Sequence, residues 1–403
     1  MDIGLIIHEL RVEGGGERLC VCLAEALLQR GHDVVIYTSA YDRSACFPEV
    51  CKTLRIKEIG RGVFPWIRRP LFIRGYLDML RMAKRVDKGH DIWNPHHWPA
   101  QWGAAWLKRR LGGHVAWNCN DVPDFIQKAR DRQSLKELFL APLYWLYYLY
   151  DRRQNCAIDR TLLLSYWAES EYRALYAGET TVVRCGMDPA LFTPGGQRTH
   201  IRSRFHYSDE DFVLLWLGIF MPHRRLEDAI EALSRLSARN IKVQLLLAGS
   251  NRKYPEYVKS LIKLTHTLGV QDQVIFADKV ADEEIRDFYC ACDAFIFPND
   301  RQTWGLTVLE AMSCGRPVLV SRGAGVHEVL RDGETALIFS PRAPAELAEK
   351  VETLIDNPRL REEIAQNGMN CAHKYSWDFF AAQVDDICRE LIDQDKSSFL
   401  CAV

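Results

Sequence analysis

The first 38 residues, MDIGLIIHELRVEGGGERLCVCLAEALLQRGHDVVIYT, decide the fold class. Ile3–Ile7 is a short apolar run, Gly14-Gly15-Gly16 breaks it, and Leu19, Cys22, Leu23, Ala26 and Leu27 recur at helical spacing. Gly31-His32 closes that helix before a second apolar run, Val34–Thr38. Strand, helix and strand in this order build a parallel sheet by crossover. The rhythm continues through strand-like runs near Ile92, Val115 and Leu162. Residues 188–211 interrupt it with two prolines, a Gly-Gly pair and a polar run, the composition of an interdomain linker. A second series then has apolar runs at Val213–Leu217, Val243–Ala248, Val274–Ala277, Ala294–Phe297 and Val318–Val320, with helical stretches near 225–238, 254–269, 282–291 and 305–314. The expectation is an α/β protein of two doubly wound domains, 1–187 and 212–376, joined by 188–211. An amphipathic helix and tail, 377–403, is expected to return toward the first domain. Ligands of such sheets lie beyond the carboxyl ends of the strands, so two facing domains predict a central cleft.

Composition narrows the class. At 48% hydrophobic and 26% charged residues, disorder and collagen-like chains are excluded. The longest uncharged apolar stretch, Leu138–Tyr150, contains Pro142 and is shorter than the roughly 20 residues a membrane span needs. The start MDIGLIIHEL has no basic region and no small-residue cleavage pattern, and the cysteines form CxC pairs (Cys20/Cys22, Cys290/Cys292) without any CxxC. A reducing cytoplasm is therefore expected. The net charge of −1 hides an asymmetry: residues 1–187 carry 27 Lys+Arg against 21 Asp+Glu, and 188–403 carry 25 against 32. Within the basic half, residues 61–88 interleave eight basic residues with Phe64, Trp66, Phe72 and Tyr76.

Four stretches carry candidate chemistry. Gly14-Gly15-Gly16-Glu17-Arg18 opens a helix where backbone N–H groups meet an anion. Its spacing is not the GxGxxG of a dinucleotide fold, which disfavours a dehydrogenase. His96 and His97 follow an apolar strand, and one of them can hydrogen-bond a sugar hydroxyl or the reacting centre. Arg224 and Arg225, at a strand-to-helix turn, can grip a diphosphate or pair with Glu227 and Asp228. The segment Phe297–Val318 is the most specific of the four. A strand ends, Trp304-Gly305 lies in a polar loop, Leu306 and Thr307 begin a helix, and Glu310 follows one turn later, where a carboxylate can take both ribose hydroxyls.

Together these residues resemble the retaining glycosyltransferases of family 4, which have the GT-B architecture, across nearly the whole chain. Gly14–Arg18 is similar to the GGxER element of that family, and His96 to the histidine ending its HxH segment. Val182–Asp188 with Phe192 and Pro194 is similar to the passage into the linker. Pro222 and Arg224 match the phosphate grip, with Arg224 at a lysine position, and Phe297–Pro317 matches the EX7E region. Two positions depart from the pattern: Gln302 stands where the first glutamate of EX7E is expected, and Ile219 where an arginine is.

The resemblance implies a hexosyltransferase that takes its sugar from a nucleotide diphosphate sugar, GDP-mannose or a UDP-hexose. Since Gln302 cannot act as a nucleophile, a front-face ion-pair path is expected over double displacement. The implied catalytic set is His96, Arg224, Gln302 and Glu310. The implied donor contacts are Gly15, Gly16, Arg225, Val280, Trp304, Gly305, Leu306 and Thr307. Asn118, Asn120 and Asp121 are expected at acceptor hydroxyls. No metal and no cofactor are expected, because arginine and helix-dipole charge can stabilise the leaving diphosphate. The acceptor is expected to be a glycan of polysaccharide biosynthesis or a lipid-linked sugar. The basic stretch, with Leu143, Trp145, Leu146, Tyr148 and Leu149, suggests an anionic membrane surface as a partner and a peripheral membrane location. Nucleic acid is not expected, since no recognisable module accompanies the basic stretch. Two alternatives stand beside this reading: a nucleotide-sugar 2-epimerase of the same fold, and a non-catalytic nucleotide-sugar-binding protein.

Overall fold

The computed structural model describes residues 1–11, 14–44, 46–59, 71–123 and 135–400. It divides into two compact units, Met1–Cys185 with Trp377–Val403, and Gly186–Ser376.

The first unit runs β1 (Asp2–Leu10), α1 (Gly15–Gln29), β2 (Asp33–Tyr41), α2 (Pro48–Cys51), β3 (Arg55–Glu58), α3 (Leu71–Arg85), β4 (Ile92–Pro95), α4 (Ala100–Leu111), β5 (His114–Asn118), α5 (Leu135–Asn155), β6 (Arg160–Leu163), α6 (Tyr166–Arg173) and β7 (Thr180–Val182). Its strands pair in parallel in the order β3-β2-β1-β4-β5-β6-β7. Central strands are buried on both faces by helices, which is why β1 and β2 read as continuous apolar runs. The chain winds outward from β1 to β3, then returns to β4 beside β1, so the order reverses between β1 and β4.

The second unit adds α7 (Arg198–Arg204), β8 (Phe212–Leu217), α8 (Leu226–Ala238), β9 (Val243–Ala248), α9 (Pro255–Leu268), β10 (Val274–Ala277), α10 (Ile285–Ala291), β11 (Ala294–Phe297), α11 (Leu306–Ser313), β12 (Val318–Ser321), β13 (Leu337–Phe339), α12 (Pro344–Asp356) and α13 (Pro358–Ala372). Its parallel order is β10-β9-β8-β11-β12-β13, reversing between β8 and β11. The stretch 188–211 lies within this unit, and its helix α7 buries Arg202 against Asp293 at 3.2 Å and the Ala291 carbonyl at 3.1 Å. The last helix, α14 (Trp377–Leu400), packs on α1 in the first unit. There Arg30 pairs with Asp378 and His32 with Asp385.

One buried carboxylate ties α4 to α5. Asp151 is fully buried and accepts hydrogen bonds from Gln101 Nε2 at 3.0 Å, Trp102 Nε1 at 2.5 Å, Trp98 Nε1 at 3.3 Å and the Tyr176 hydroxyl. Burial pushes its pKa up to about 6, against the pull of these donors. Below about pH 4 the carboxyl is protonated folded or unfolded. Between about 4 and 6 the unfolded chain releases its proton while the fold keeps it, so stability falls as pH rises and the loss is complete above about 6. Relative to Asp151→Asn, the wild type is expected to lose about 3 kcal/mol from pH 4 to 7. Urea unfolding of both proteins across that range checks it, and parallel pH profiles would contradict it.

Candidate functional site

In the first unit the chemistry-bearing residues gather at the β1/β4 reversal. Gly14 is the extended N-cap of α1 and offers no side-chain cap. Gly16 is required by space: a Cβ there would lie 1.6 Å from His97 Nε2, whereas one on Gly15 would meet nothing within 4 Å. The His96 backbone N–H bonds the Ile6 carbonyl at 2.7 Å, fastening the end of β4 to β1. His97 then takes a left-handed backbone, φ 60°, which turns its ring over Gly16.

The tautomer of His96 follows from its neighbours. Asn94 Nδ2 donates to the Ala116 carbonyl at 2.6 Å, which makes Asn94 Oδ1 the acceptor that faces His96 Nε2 at 2.9 Å. Asn118 Nδ2 stands farther from the same nitrogen, at 3.3 Å, so the shorter Asn94 contact assigns the proton to Nε2 and leaves the lone pair on Nδ1. That Nδ1 is buried without a partner, and burial holds the ring neutral by pushing its pKa well below the usual range. Asn118, expected at the acceptor, is fully buried beneath His96, donates to Asn94 Oδ1 at 3.0 Å and so supports the histidine. Asn120 lies 3.5 Å from His97 Nε2 with its own Oδ1 unpartnered, and Asp121 is exposed. The sequence reading leaves open which of the two histidines serves, because the place of His97 over Gly16 depends on a positive φ.

In the second unit the matching place is the β8/β11 reversal. Gly218 and Gly249 follow β8 and β9 in such close approach that a Cβ on Gly249 would sit 1.6 Å from the Gly218 carbonyl oxygen. A 3₁₀ turn, Pro222–Arg224, follows and is joined to the end of β11 by the Asp300 N–H donating to the His223 carbonyl at 2.8 Å. Arg224 is half-buried on this turn. Arg225 differs from expectation. Its left-handed backbone, φ 53°, turns the guanidinium onto the first turn of α8, where it pairs with Glu227 at 2.6 Å and Asp228 at 2.6 Å. Both carboxylates engage it, which is the ion-pair alternative that the sequence offers for this residue.

The loop after β11 supplies the rest. Gln302 donates its backbone N–H to Gly323 at 2.9 Å and accepts from Gly325 at 2.8 Å, which seats the loop on the end of β12. Trp304 is buried, its ring 6.5 Å from that of Tyr375. Gly305 is the N-cap of α11, has no room for a side chain beside Val326 and Phe297, and leaves the N–H groups of the first turn, at Leu306 and Thr307, uncapped by any side chain. Glu310, one turn on, is buried and accepts the Tyr289 hydroxyl at 2.8 Å. A solvated-face role for Glu310 is thereby excluded. Asn299 is fully buried with neither Nδ2 nor Oδ1 partnered, and sequence reasoning passed over it. A polar residue directly after an apolar strand was the available signal. Val280 is buried just beyond β10.

Known proteins resemble this chain in sequence and in fold. Residues 13–191 match the model of Glycosyltransferase Family 4 and residues 197–370 that of Glycosyl transferases group 1. The chain is 26% identical to a D-inositol 3-phosphate glycosyltransferase of Actinosynnema mirum, over 91% of this chain and 89% of that protein. It is 25% identical to the protein of the same name from Thermomonospora curvata, over 91% and 88%. Among solved structures, sucrose-phosphate synthase of Thermosynechococcus elongatus superposes with a TM-score of 0.77 at 20% identity, covering 98% of this chain and all of that one. The Anabaena protein HepE in complex with UDP-glucose superposes with a TM-score of 0.74 at 18% identity, covering 98% and 100%. Two parallel sheets of this order, matched over both units, are the GT-B fold, and the chain belongs to the group 1 glycosyltransferases of family 4.

Proposed function

We propose that this glycosyltransferase moves a hexosyl unit from a nucleotide diphosphate sugar to a hydroxyl of a glycan or lipid-linked acceptor, with retention and without a metal. The observation that carries the reading is Glu310, a buried carboxylate held by Tyr289 one turn inside a helix whose first N–H groups have no side-chain cap. Buried carboxylates are costly unless a partner needs them, and two vicinal hydroxyls of a ribose are such a partner. The N-terminus of α11, near Leu306 and Thr307, and Arg224 take the diphosphate and stabilise its charge as it leaves. Gln302 and the backbone around Trp304 and Gly305 hold the sugar hydroxyls, and the Val280 backbone takes the base. His96 accepts a sugar O–H at Nδ1, and His97 lies with it at the Gly15-Gly16 turn. Asn120 and Asp121 remain the acceptor contacts, and Arg225 is left out of the donor set. The UDP-glucose complex of HepE supports a nucleotide sugar as donor, and the names of the curated relatives support glycosyl transfer. A front-face ion pair fits Gln302, whose amide offers no nucleophilic carboxylate. A binding protein without turnover is the reading that Gln302 and Ile219 favour in its place, and hydrolysis of donor in the absence of acceptor would exclude it.

Among the described residues no helix is long and apolar enough to cross a membrane. Helix α5 nevertheless exposes Trp145, Leu146 and Leu149 ahead of exposed Arg152 and Arg153. We propose that this face rests on anionic lipid, the aromatic and aliphatic groups buried in the headgroup layer and the arginines reaching phosphate. Phe64 and Trp66 lie outside the described residues, as do the side chains of Phe72 and Tyr76.

Three outcomes test this function. In a thermal-shift panel of UDP, GDP and their sugar conjugates, one nucleotide family is expected to raise the melting temperature with or without EDTA. Its affinity should fall about tenfold, or about 1.4 kcal/mol, in Glu310→Gln and about threefold in Tyr289→Phe. Equal affinity in Glu310→Gln would remove the ribose role. Gly16→Ala is expected to lower kcat/KM at least tenfold by displacing His97, and Gly15→Ala to lower it much less; equal losses would break the steric argument. Finally, co-sedimentation with phosphatidylglycerol vesicles at low salt should retain the wild type, and Trp145→Ser with Leu149→Ser should release it. Wild-type protein left in the supernatant would end the membrane proposal.

A further inference from the structure

The segment that follows β12 is built against the Gln302 loop, and the donor contacts proposed above leave it unused. On one side it is seated on β13, where the Arg322 N–H donates to the Phe339 carbonyl at 2.8 Å, and the Gly323 N–H turns back to Ser321 Oγ at 3.0 Å. On the other side it pairs with the loop after β11. The Gln302 N–H donates to the Gly323 carbonyl at 2.9 Å, and the Gly325 N–H to the Gln302 carbonyl at 2.8 Å. A 3₁₀ turn, Gly325–Val329, then begins, and a Cβ on Gly305, the N-cap of α11, would stand 2.8 Å from Val326 Cγ1. His327, the next residue, is thus carried on a turn fastened to Gln302 and packed against the uncapped start of α11.

The His327 ring has a defined tautomer. The Ala324 carbonyl receives the His327 backbone N–H at 3.0 Å and lies 2.8 Å from its Nδ1. A carbonyl oxygen only accepts, so Nδ1 carries a proton, and in the neutral imidazole the lone pair is on Nε2. Among the described residues no hydrogen bond or ion pair reaches Nε2, and the side chain is half-buried, so this nitrogen is open to a ligand. The carbonyl at Ala324 fixes both the tautomer and the ring plane before any ligand arrives.

A second observation falls in the same place. Asn299, two residues beyond the end of β11, is fully buried with Nδ2 and Oδ1 unpartnered, and a Cβ on Gly323 would stand 2.9 Å from its carbonyl oxygen. The paired loops are therefore short of polar partners on both sides of Gln302, a condition that a ligand or ordered water relieves. The chemistry of the missing partner follows from the atoms. Phosphate oxygens only accept, so they satisfy neither a lone pair on Nε2 nor an amide oxygen, whereas a hydroxyl donates to both.

We propose that His327 is a specificity-determining residue for the donor, its Nε2 accepting one hydroxyl of the transferred hexosyl unit. The inference rests on the reading of the α11 start as the diphosphate site, which places the sugar beside Gln302. A site that hydrogen-bonds a hydroxyl rejects the analogue without it, because the site atom is then left unpartnered.

The test removes the hydroxyl and the nitrogen separately. Full-length protein is titrated calorimetrically with UDP and GDP. The nucleotide that binds is then compared with its hexose conjugate, UDP-glucose or GDP-mannose, and with the four monodeoxy forms of that sugar. At least one monodeoxy donor is expected to bind the wild type about fivefold more weakly than the parent. His327→Asn retains an amide donor for the Ala324 carbonyl and lacks Nε2. It should bind the parent donor about fivefold more weakly, bind that same monodeoxy donor as the wild type does, and bind free nucleotide unchanged, so that the two losses do not add. In Glu310→Gln, by contrast, free nucleotide and every donor should weaken together. Wild-type affinity for the parent donor in His327→Asn would overturn the inference, because the ring would then serve Ala324 alone. Equal loss of free nucleotide and donor, or losses that add for every monodeoxy donor, would overturn it as well. A wild type that binds nucleotide yet binds all four monodeoxy donors like the parent would overturn the role of His327 and leave that of Glu310 standing. A wild type that binds neither UDP nor GDP would overturn both.

Discussion

Each unit is governed by a single reversal of strand order. Crossover connections on the two sides of that point run to opposite faces of the sheet, so the backbone beyond the strands is not covered by its own helices. In the first unit this leaves the Gly14–Gly16 turn and His96 at the ends of β1 and β4. In the second it leaves Gly218, the Pro222–Arg224 turn and Asn299 at the ends of β8 and β11. Buried polar atoms without partners occur at both reversals: His96 Nδ1, Asn118 Oδ1 and Asn120 Oδ1 at the first, and both amide atoms of Asn299 at the second. Native interiors seldom tolerate such atoms unless a ligand or ordered water completes them. At the two reversals such atoms lie where the topology also leaves the backbone uncovered.

How much of this was legible in the sequence follows from where the information resides. Central strands such as β1, β8 and β9 announce themselves because both faces are buried and the run of apolar residues is unbroken. The edge strand β3, with sequence Arg-Ile-Lys-Glu, and the three-residue β7 and β13 carry no comparable signal. Residues 188–211 read as a linker because proline and glycine dominate local pattern. Yet Arg202 within them is one of the most buried side chains, and its carbonyl and Asp293 partners lie roughly 90 residues downstream or nearby in loops. Site residues divide in the same way. Glu310 and the turn at Gly305 follow from helix periodicity and local packing, so sequence spacing finds them. The diversion of Arg225 to Glu227 and Asp228, the swing of His97 over Gly16 and the contact of Gly249 with Gly218 depend on backbone angles that spacing does not encode.

The two units handle charge in opposite ways, and the contrast bears on the chemistry. At the β1/β4 reversal the buried groups are neutral amides and a neutral imidazole whose free nitrogen is fixed as an acceptor by a chain from the Ala116 carbonyl through Asn94. Such a surface can orient hydroxyl groups but contributes little to stabilising a departing anion. At the β8/β11 reversal the half-buried Arg224 and the uncapped start of α11 supply positive potential, Asp228 is neutralised by Arg225, and the buried carboxylate of Glu310 is set a turn deeper beside Tyr289. A carboxylate at position 302 would bring negative charge back toward that potential. The amide of Gln302 retains hydrogen-bonding capacity without opposing charge on a leaving diphosphate. On this electrostatic ground the glutamine suits a reaction driven by leaving-group departure better than one that requires a nucleophile on the loop.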